Sequence, residues 1–412
     1  MPTWGLLRNP DFRRFWTADL LSQFGTRVAF LGVPLLATTT LNASATQVAL
    51  LRALETSAYL VLGLQAGAWC DRLRARPVLL TADLGRALLI ASVPVCAAFG
   101  VLTLWQLFAV VLLTGLLTVF FDVAHQTYLP RLIDRADLLE GNAKLQTNMS
   151  MAAVAAPTAS GFLVQWLGAP AALGATALGY LSSAGWLARI RAREMRPLVE
   201  KRKLRTEIGE GLRLVFRHPV LRALTLSGAS ISVFQSIHIA SSVVFLIREI
   251  GLDPGAVGLL GTLGLTGALT GAVTARRLAS TLGHARALWL TTLLLGAASL
   301  LYPLTTPGWG LVFWALAGFG TAFGVIVVNV LQLTYQQLTV PEELLGRANA
   351  TVRFLALGMV PVGSVAAAAL SPLIGLRATL WTAALGMLTS AGWLIFSPLR
   401  SGERTPSNTR TG

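Results

Sequence analysis

Runs of about twenty apolar residues recur along the whole sequence, and this repetition constrains the fold more than any other feature. A helix of that length spans the hydrocarbon core of a lipid bilayer. Only 12% of the residues are charged, about half the share of a typical soluble domain. We therefore expect an all-α integral membrane protein with twelve transmembrane helices. The twelve apolar windows lie at roughly 15–41, 46–70, 78–104, 106–130, 146–168, 171–190, 221–248, 254–275, 285–304, 308–333, 351–374 and 378–397.

Basic residues lie before the first window and then in alternate gaps between windows. The intervening gaps near 42–45, 103–106, 168–171 and 304–308 contain none, and Arg248 and Arg377 are the exceptions. The positive-inside rule then predicts that both termini face the cytoplasm. No small-residue cleavage site follows the basic N-terminal flank, which favours a first span that is retained. We expect a multi-pass protein of the inner, or cytoplasmic, cell membrane.

An internal repeat relates the two halves of the sequence. Tyr128 and Tyr335 are 207 residues apart, and so are Asn142 and Asn349. A weaker similarity joins NPDFRRF, from Asn9, to HPVLRAL, from His218. The repeat predicts two six-helix bundles in the same orientation, a parallel repeat about an axis along the membrane normal. The expected organisation is an N-terminal bundle at 1–190, a basic cytoplasmic linker at 191–219, a C-terminal bundle at 220–399 and a disordered cytoplasmic tail at 400–412.

The segment GAWCDRLRAR, residues 67–76, resembles the signature G-x-x-x-D-R-x-G-R-R/K between helices 2 and 3 of the major facilitator superfamily. The matching positions are Gly67, Asp71, Arg72 and Arg76. The spacing of the windows and the opening LLRNPDFRRFWTADLLSQFG look most like the macrolide-efflux and enterobactin-exporter branch. The resemblance implies that Asp71 latches the two halves together on the cytoplasmic side when the cavity faces outward. The alternative is a charge that only fixes topology.

Polar side chains recur on one face of five windows. A charged group at mid-bilayer costs roughly 2.5–3.5 kcal/mol on insertion scales, and it usually marks a functional position. In the facilitator fold, helices 1, 4, 7 and 10 line the central cavity, so the resemblance places four of the five stripes along a transport pathway. The stripes are Asp19, Gln23 and Arg27; Arg52, Glu55 and Tyr59; Asp122, His125 and Gln126; Gln235 and His238; and Asn329, Gln332 and Gln336.

All intramembrane acids fall in the first half, which favours a first half that handles protons and a second half that binds substrate through neutral groups. Glu55 lies about 24 Å from the cytoplasmic helix end and Arg27 roughly 18 Å, so the two are predicted to pair. A static pair is the alternative to a coupling site. The proton-coupling candidates are Glu55, Arg27, Asp122, His125 and Asp19. The substrate-cavity candidates are Gln23, Tyr59, Gln126, Gln235, His238, Asn329, Gln332 and Gln336.

The fifth window contains small residues at helical spacing. Ala152, Ala156 and Ser160 recur every four residues beside Pro157 and Gly161, a pattern that predicts a close-packing helix face. It resembles the G-x-x-x-G-P-x-x-G-G motif of facilitator antiporters, with alanine and serine in place of three glycines. The resemblance favours proton-coupled efflux over uptake.

Other classes of protein lack their required motifs. ATP-driven transport needs a glycine-rich loop with Gly-Lys-Ser/Thr, and no lysine stands in that setting. The four histidines show no metal-ligand spacing, and the net charge of +15 is spread over the gaps, so we expect no metal, cofactor or nucleic acid. The sequence predicts a secondary active transporter that exports a drug, siderophore or metabolite by alternating access and proton antiport. The alternatives are a proton-coupled importer, a uniporter and a membrane-embedded enzyme. We expect a monomer whose partners are the substrate, protons and the lipid bilayer.

Overall fold

The computed structural model describes residues 5–70, 73–134, 137–192, 213, 215–339 and 342–398. That part of the chain is helical and contains no strand. Its long helices are α1 (Pro10–Thr39), α2 (Ala45–Cys70), α3 (Ala75–Ala98), α4 (Leu104–Leu132), α5 (Leu138–Leu167), α6 (Ala169–Ala188), α7 (Pro219–Val244), α8 (Pro254–Leu282), α9 (His284–Ser299), α10 (Leu311–Thr339), α11 (Glu342–Ile374) and α12 (Leu376–Thr389). Short helical segments lie at Gly5–Arg8, Phe245–Glu249, Tyr302–Leu304, Gly308–Gly310 and Gly392–Ile395.

Nine helical segments of the described residues are long and apolar enough to cross a membrane. Three of these segments are α1, α3 and α4. The other six correspond one by one to the helices α7 to α12. The remaining long helices have 26, 30 and 20 residues: α2 lies between α1 and α3, and α5 and α6 lie between α4 and α7. The all-α membrane fold predicted from the apolar windows is therefore confirmed.

The chain divides into two compact units. Unit 1 consists of Met1–Lys201 and Val243–Thr262, and unit 2 consists of Arg202–Ser242 and Leu263–Gly412. The end of α7 and the start of α8 thus group with the first six helices. The chain passes from unit 2 to unit 1 next to the π-helical turn Phe245–Glu249, which continues α7. Such turns interrupt the regular hydrogen bonding of an α-helix and often mark functional sites.

The helix pairs that pack together in unit 1 have counterparts six helices later in unit 2. In unit 1, α3 packs against α4 and α6, and in unit 2, α9 packs against α10 and α12. The Ser160 hydroxyl donates to the carbonyl oxygen of Val28, joining α5 to α1 at 3.0 Å. Correspondingly, the Ser236 hydroxyl of α7 donates to the carbonyl oxygen of Val360 of α11 at 2.7 Å. The packing follows the internal repeat of the sequence.

Two local features of the backbone also recur between the halves. The turn before α6 contains Gly168 and the turn before α12 contains Gly375, both with φ of 82°, a left-handed conformation that glycine adopts without steric cost. These glycines are 207 residues apart, the offset found in the sequence repeat. The other feature lies at the starts of α1 and α7. The Asn9 side chain accepts a hydrogen bond from Asp11 N, and the His218 Nδ1 accepts one from Leu221 N.

Candidate functional site

A buried carboxylate on α1 meets polar side chains of α4 and α5. Asp19 is 1% exposed, and its Oδ1 lies 2.9 Å from the Nε2 of His125. His125 Nε2 has no hydrogen-bond partner, and its contact with Asp19 is an ion pair when the imidazole is protonated. The other oxygen, Oδ2, accepts a hydrogen bond from the Asn148 amide at 2.8 Å. Gln23, one turn further along α1, places its Nε2 3.5 Å from Oδ1.

A second carboxylate in unit 1 is held by a tyrosine. The Tyr59 hydroxyl of α2 donates to Asp122 Oδ2 of α4 at 2.5 Å. Asp122 precedes His125 by three residues, so the two carboxylate contacts lie within one turn of α4. His125 also packs between aromatic rings, with centroid distances of 5.2 Å to Phe15 and 5.9 Å to Phe121. The arrangement joins α1, α2, α4 and α5 around two carboxylates and one imidazole.

The predicted pair between Arg27 and Glu55 is wrong. Glu55 pairs with Arg52 at 2.5 Å, and Arg52 also lies 3.8 Å from the centroid of the Phe30 ring. Arg27 is exposed and forms no ion pair with any described residue. Arg52 and Glu55 are three residues apart and lie on the same face of α2, so they can pair within one helix. Arg52 is therefore the partner of Glu55 instead of Arg27.

A fully buried ion pair lies on α3. Asp83 and Arg86 are at most 1% exposed and pair with each other. The Ser22 hydroxyl of α1 donates to Asp83 Oδ1 at 3.2 Å, and the Ser183 hydroxyl of α6 donates to Oδ2 at 2.6 Å. The spacing of three residues places both charges on one face of α3. Serines that hold the pair from two other helices give no signal in the sequence.

The Arg86 guanidinium is also enclosed by aromatic rings. Its central carbon lies 4.1 Å from the ring centroid of Phe121 on α4 and 4.5 Å from that of Tyr180 on α6. Cation–π contacts of this kind gain strength where water is excluded. Arg86 therefore ties α1, α3, α4 and α6 together through one buried charge.

Unit 2 contains a cavity of about 580 Å³ between α7, α10 and α11. This volume is in the range of small-molecule binding sites. All described lining residues are uncharged. Those with polar side chains are Thr225, Ser232, Gln235, Asn329, Gln332 and Gln336. The structure thus brings together four of the predicted substrate residues, the carboxamides of α7 and α10.

The other predicted substrate residues lie elsewhere. His238 of α7 is outside the described lining of this cavity and packs on Tyr302 and Trp314, with ring centroids 3.8 and 5.5 Å apart. Gln126 is exposed on α4 of unit 1. Gln23 and Tyr59 contact the carboxylates described above.

The signature segment is described only in part. Asp71 and Arg72 lie outside the described residues, as does the side-chain environment of Gly67 near the end of α2. Arg76 donates from Nε to the carbonyl oxygen of Leu187 at 3.0 Å and from a terminal nitrogen to that of Ala188 at 2.7 Å. These are among the last carbonyls of α6, which lack partners within their own helix. Arg76 therefore caps α6.

The small residues of α5 form two packing faces within unit 1. Ala152 and Ala156 are completely buried. On another face, a Cβ atom added at Gly161 would lie 2.4 Å from the carbonyl oxygen of Pro254, and one added at Gly258 would lie 2.2 Å from that of Pro157. The backbones of α5 and the first turns of α8 thus approach too closely for any side chain at these two glycines.

The comparisons with known proteins agree on one family. The model of a family described as transmembrane secretion effector matches residues 1–411. The multidrug efflux pump Tap of Mycolicibacterium fortuitum is 29% identical over 378 residues, 87% of this chain and 88% of the relative. The uncharacterized MFS-type transporter YfiS of Bacillus subtilis (strain 168) is 25% identical over 366 residues, 85% of each chain.

Solved structures of transporters share the fold. The nucleoside transporter NupG has a TM-score of 0.77 at 11% identity, with 94% of this chain and 96% of that chain covered. A bacterial homologue of the iron transporter ferroportin, solved in an inward-facing state, has a TM-score of 0.76 at 16% identity, with 95% and 98% covered. At these identities the likeness concerns the fold alone. Among the residues that the structure describes, no group of three His, Cys, Asp or Glu side chains is placed to hold a metal ion.

Proposed function

Because the chain belongs to the transmembrane secretion effectors of the major facilitator superfamily, we propose that this membrane transporter exports a small organic molecule from the cell in exchange for protons. Export is favoured by the relative named as a multidrug efflux pump, which aligns with most of the chain. The proposed location is the cell membrane. Alternating access of a site between the two sides of the membrane is the mode of transport typical of this architecture.

The contact between Asp19 and His125 carries the proposal of proton coupling. A carboxylate beside an imidazole gains a charged partner when the imidazole is protonated. While His125 is protonated, a proton bound at Asp19 removes the ion pair between α1 and α4, and release of that proton restores it. Asp122 offers a second position, because its partner Tyr59 is neutral and leaves its charge uncompensated at that contact. Glu55 is less suited, since Arg52 already neutralises it.

The test uses everted membrane vesicles in which an acid interior is imposed. Accumulation of chloramphenicol, erythromycin and ethidium is measured for the wild-type protein and for Asp19→Asn, Asp122→Asn and Glu55→Gln. We expect wild-type vesicles to accumulate at least one of the three compounds and to lose this accumulation when nigericin collapses the pH gradient. Asp19→Asn and Asp122→Asn should reduce accumulation at least tenfold while exchange of labelled for unlabelled compound continues. Glu55→Gln should have a smaller effect.

Asp134→Asn serves as the matched control, because Asp134 is an exposed acid in the connection after α4 and should pump like the wild-type protein. Accumulation that persists without a pH gradient would exclude proton antiport. Accumulation in the opposite direction, in right-side-out vesicles with an acid exterior, would indicate an importer. If all three acid variants pump like the wild-type protein, coupling lies elsewhere.

The proposed orientation places both termini and the 197–205 segment in the cytoplasm, supported by the one-sided distribution of arginine and lysine. Single cysteines placed in the 197–205 segment and at Gly412 should react with a membrane-impermeant maleimide only after the cells are opened. Labelling in intact cells would contradict this orientation.

We also propose that Asp71 acts as the cytoplasmic latch between the two halves, as the resemblance of residues 67–76 implies. Asp71→Asn should abolish transport while membrane insertion and the melting temperature stay at wild-type values. Normal transport by this variant would leave the signature as a determinant of topology alone.

A further inference from the structure

The cavity of unit 2 is lined by carboxamides that have no partner in the described part of the protein. Gln235 lies on α7, and Asn329, Gln332 and Gln336 follow one another at helical spacing on α10. No side-chain hydrogen bond joins any of the four to another described residue. Each carboxamide offers two donors and an acceptor oxygen with two lone pairs. The cavity therefore presents a dense set of neutral hydrogen-bonding groups.

Gln336 differs from the other three because it is withdrawn from solvent. Its side chain is only 3% exposed, and its Nε2 is buried without a hydrogen-bond partner. Most buried polar groups in proteins are hydrogen-bonded, because an unpaired one loses its interactions with water and gains nothing. A buried donor that lines a cavity and lacks a partner is thus suited to an acceptor that enters the cavity.

We propose that an uncharged, oxygen-bearing part of the exported molecule binds in this cavity and that Gln336 selects it by donating a hydrogen bond to a carbonyl or hydroxyl oxygen. The proposal rests on the proposed export function and adds the chemical class of the substrate. A charged group would lose its hydration here, because none of the described lining residues carries a counter-charge. Ile231 and Val328, on opposite helices of the lining, cover the apolar part of the molecule.

The geometry also indicates how the site rejects other molecules. A site that hydrogen-bonds its ligand discriminates strongly against an analogue without the acceptor, because the buried donor is then left unpaired. Gly228 of α7 keeps space open beside the amides: a Cβ atom at this position would lie 3.8 Å from Gln332 Oε1, with nothing nearer. A larger side chain at Gly228 would extend into the volume that the ligand needs.

The experiment measures binding to the purified protein in detergent, by isothermal titration calorimetry and without a pH gradient. The probes are chloramphenicol, which is uncharged and rich in oxygen acceptors, ethidium, a permanent cation, and carboxyfluorescein, an anion. We expect the wild-type protein to bind chloramphenicol and neither charged probe. Gln336→Leu should weaken chloramphenicol binding at least tenfold. Gln337→Leu changes an exposed amide on the adjacent position of α10 and should bind like the wild-type protein.

Thermal unfolding separates selection of a ligand from a structural role. Gln336→Leu removes a buried donor without a partner, so its melting temperature without ligand should equal or exceed that of the wild-type protein. A structural role for this amide predicts a lower melting temperature instead. Gly228→Leu should abolish chloramphenicol binding by filling the cavity, although it leaves Gln336 in place.

Several results would overturn the proposal. In the first, the wild-type protein does not bind chloramphenicol. In the second, the Gln336→Leu variant binds chloramphenicol as the wild-type protein does. In the third, Gln336→Leu weakens the binding of ethidium as much as that of chloramphenicol. Carboxyfluorescein binding that Gln336→Leu weakens would assign the cavity to anions. If binding behaves as expected but wild-type vesicles accumulate the compound without a pH gradient, proton antiport fails and the substrate class stands.

Discussion

Buried charges join helices in unit 1, in addition to hydroxyl contacts such as that of Ser160, whereas hydroxyl groups and aromatic rings join helices in the described part of unit 2. In unit 1, Asp83 and Arg86 link four helices, and Asp19 links α1 to α4 and α5. In the described part of unit 2, no aspartate or glutamate is buried, and helix contacts include Ser236 with Ser364 at 2.8 Å. The two units repeat one arrangement of helices with different side-chain chemistry.

Because the two units share one arrangement of helices, that arrangement requires neither the buried charges of unit 1 nor the hydroxyl and aromatic contacts of unit 2. Close packing of small residues occurs in both units, at Gly258 in unit 1 and at Gly363 in unit 2, where added Cβ atoms would meet carbonyl oxygens at 2.2 and 2.1 Å. Such contacts can hold helices together in a bilayer, where apolar burial between helices gives little driving force. The charges of unit 1 are therefore available for function, and the cavity of unit 2 can remain uncharged.

The largest expected effect on stability follows from breaking the buried pair of Asp83 and Arg86 in unit 1. Arg86→Met removes the counter-charge of a completely buried carboxylate, which costs about 3–5 kcal/mol of stability when one partner of a buried pair is lost. The matched change in unit 2, Ser236→Ala, removes a neutral hydroxyl and should cost about 1 kcal/mol. Thermal unfolding in dodecyl maltoside, followed by tryptophan fluorescence, measures both.

The double variant Asp83→Leu with Arg86→Met is the control for the Asp83–Arg86 pair. Replacement of both charges by apolar groups leaves no unpaired ion, so the double variant should melt above Arg86→Met. If Arg86→Met and Ser236→Ala lower the melting temperature equally, the contrast between the units has no energetic basis.

The fold followed from the sequence because a bilayer imposes length and polarity on every span. The repeat at an offset of 207 residues was visible at Tyr128 and Tyr335, and Gly168 and Gly375 now show it in the backbone. The carboxamides of α10 were predicted because Asn329, Gln332 and Gln336 lie on one helical face. Periodicity within one helix is readily seen in a sequence.

Contacts between helices were harder to predict. Asn148 as a partner of Asp19, and Ser183 as a partner of Asp83, come from helices far away in the chain. Asparagine and serine within an apolar helix give no indication of which neighbouring helix they face. The wrong pairing of Arg27 with Glu55 arose in the same way, because depth along two helices was taken as proximity between them.

A smaller effect on stability is expected at two glycines, Gly258 in a close contact between helices and Gly228 beside the cavity of unit 2. Gly258→Ala places a Cβ atom 2.2 Å from a backbone oxygen of α5, so α8 must shift, at a cost of about 1–3 kcal/mol. Gly228→Ala in unit 2 meets its nearest atom at 3.8 Å, an ordinary contact, and should leave the melting temperature unchanged. The same thermal measurement compares the two variants, and equal melting temperatures would contradict the close approach of α5 and α8.

The smallest effect concerns the two arginines that depart from the positive-inside pattern. Each donates to a backbone carbonyl within its own unit: Arg248 to that of Ala43 and Arg377 to that of Pro303, both at 2.7 Å. Both exceptions are therefore arginines that bind the backbone of a distant segment. Because Arg248 is exposed, Arg248→Ala should lower stability by only about 0.5–1 kcal/mol, and Arg248→Lys, which keeps a donor, should restore part of it. Cysteine labelling at the 197–205 segment should stay unchanged in both variants, whereas altered labelling would mean that Arg248 takes part in setting the topology.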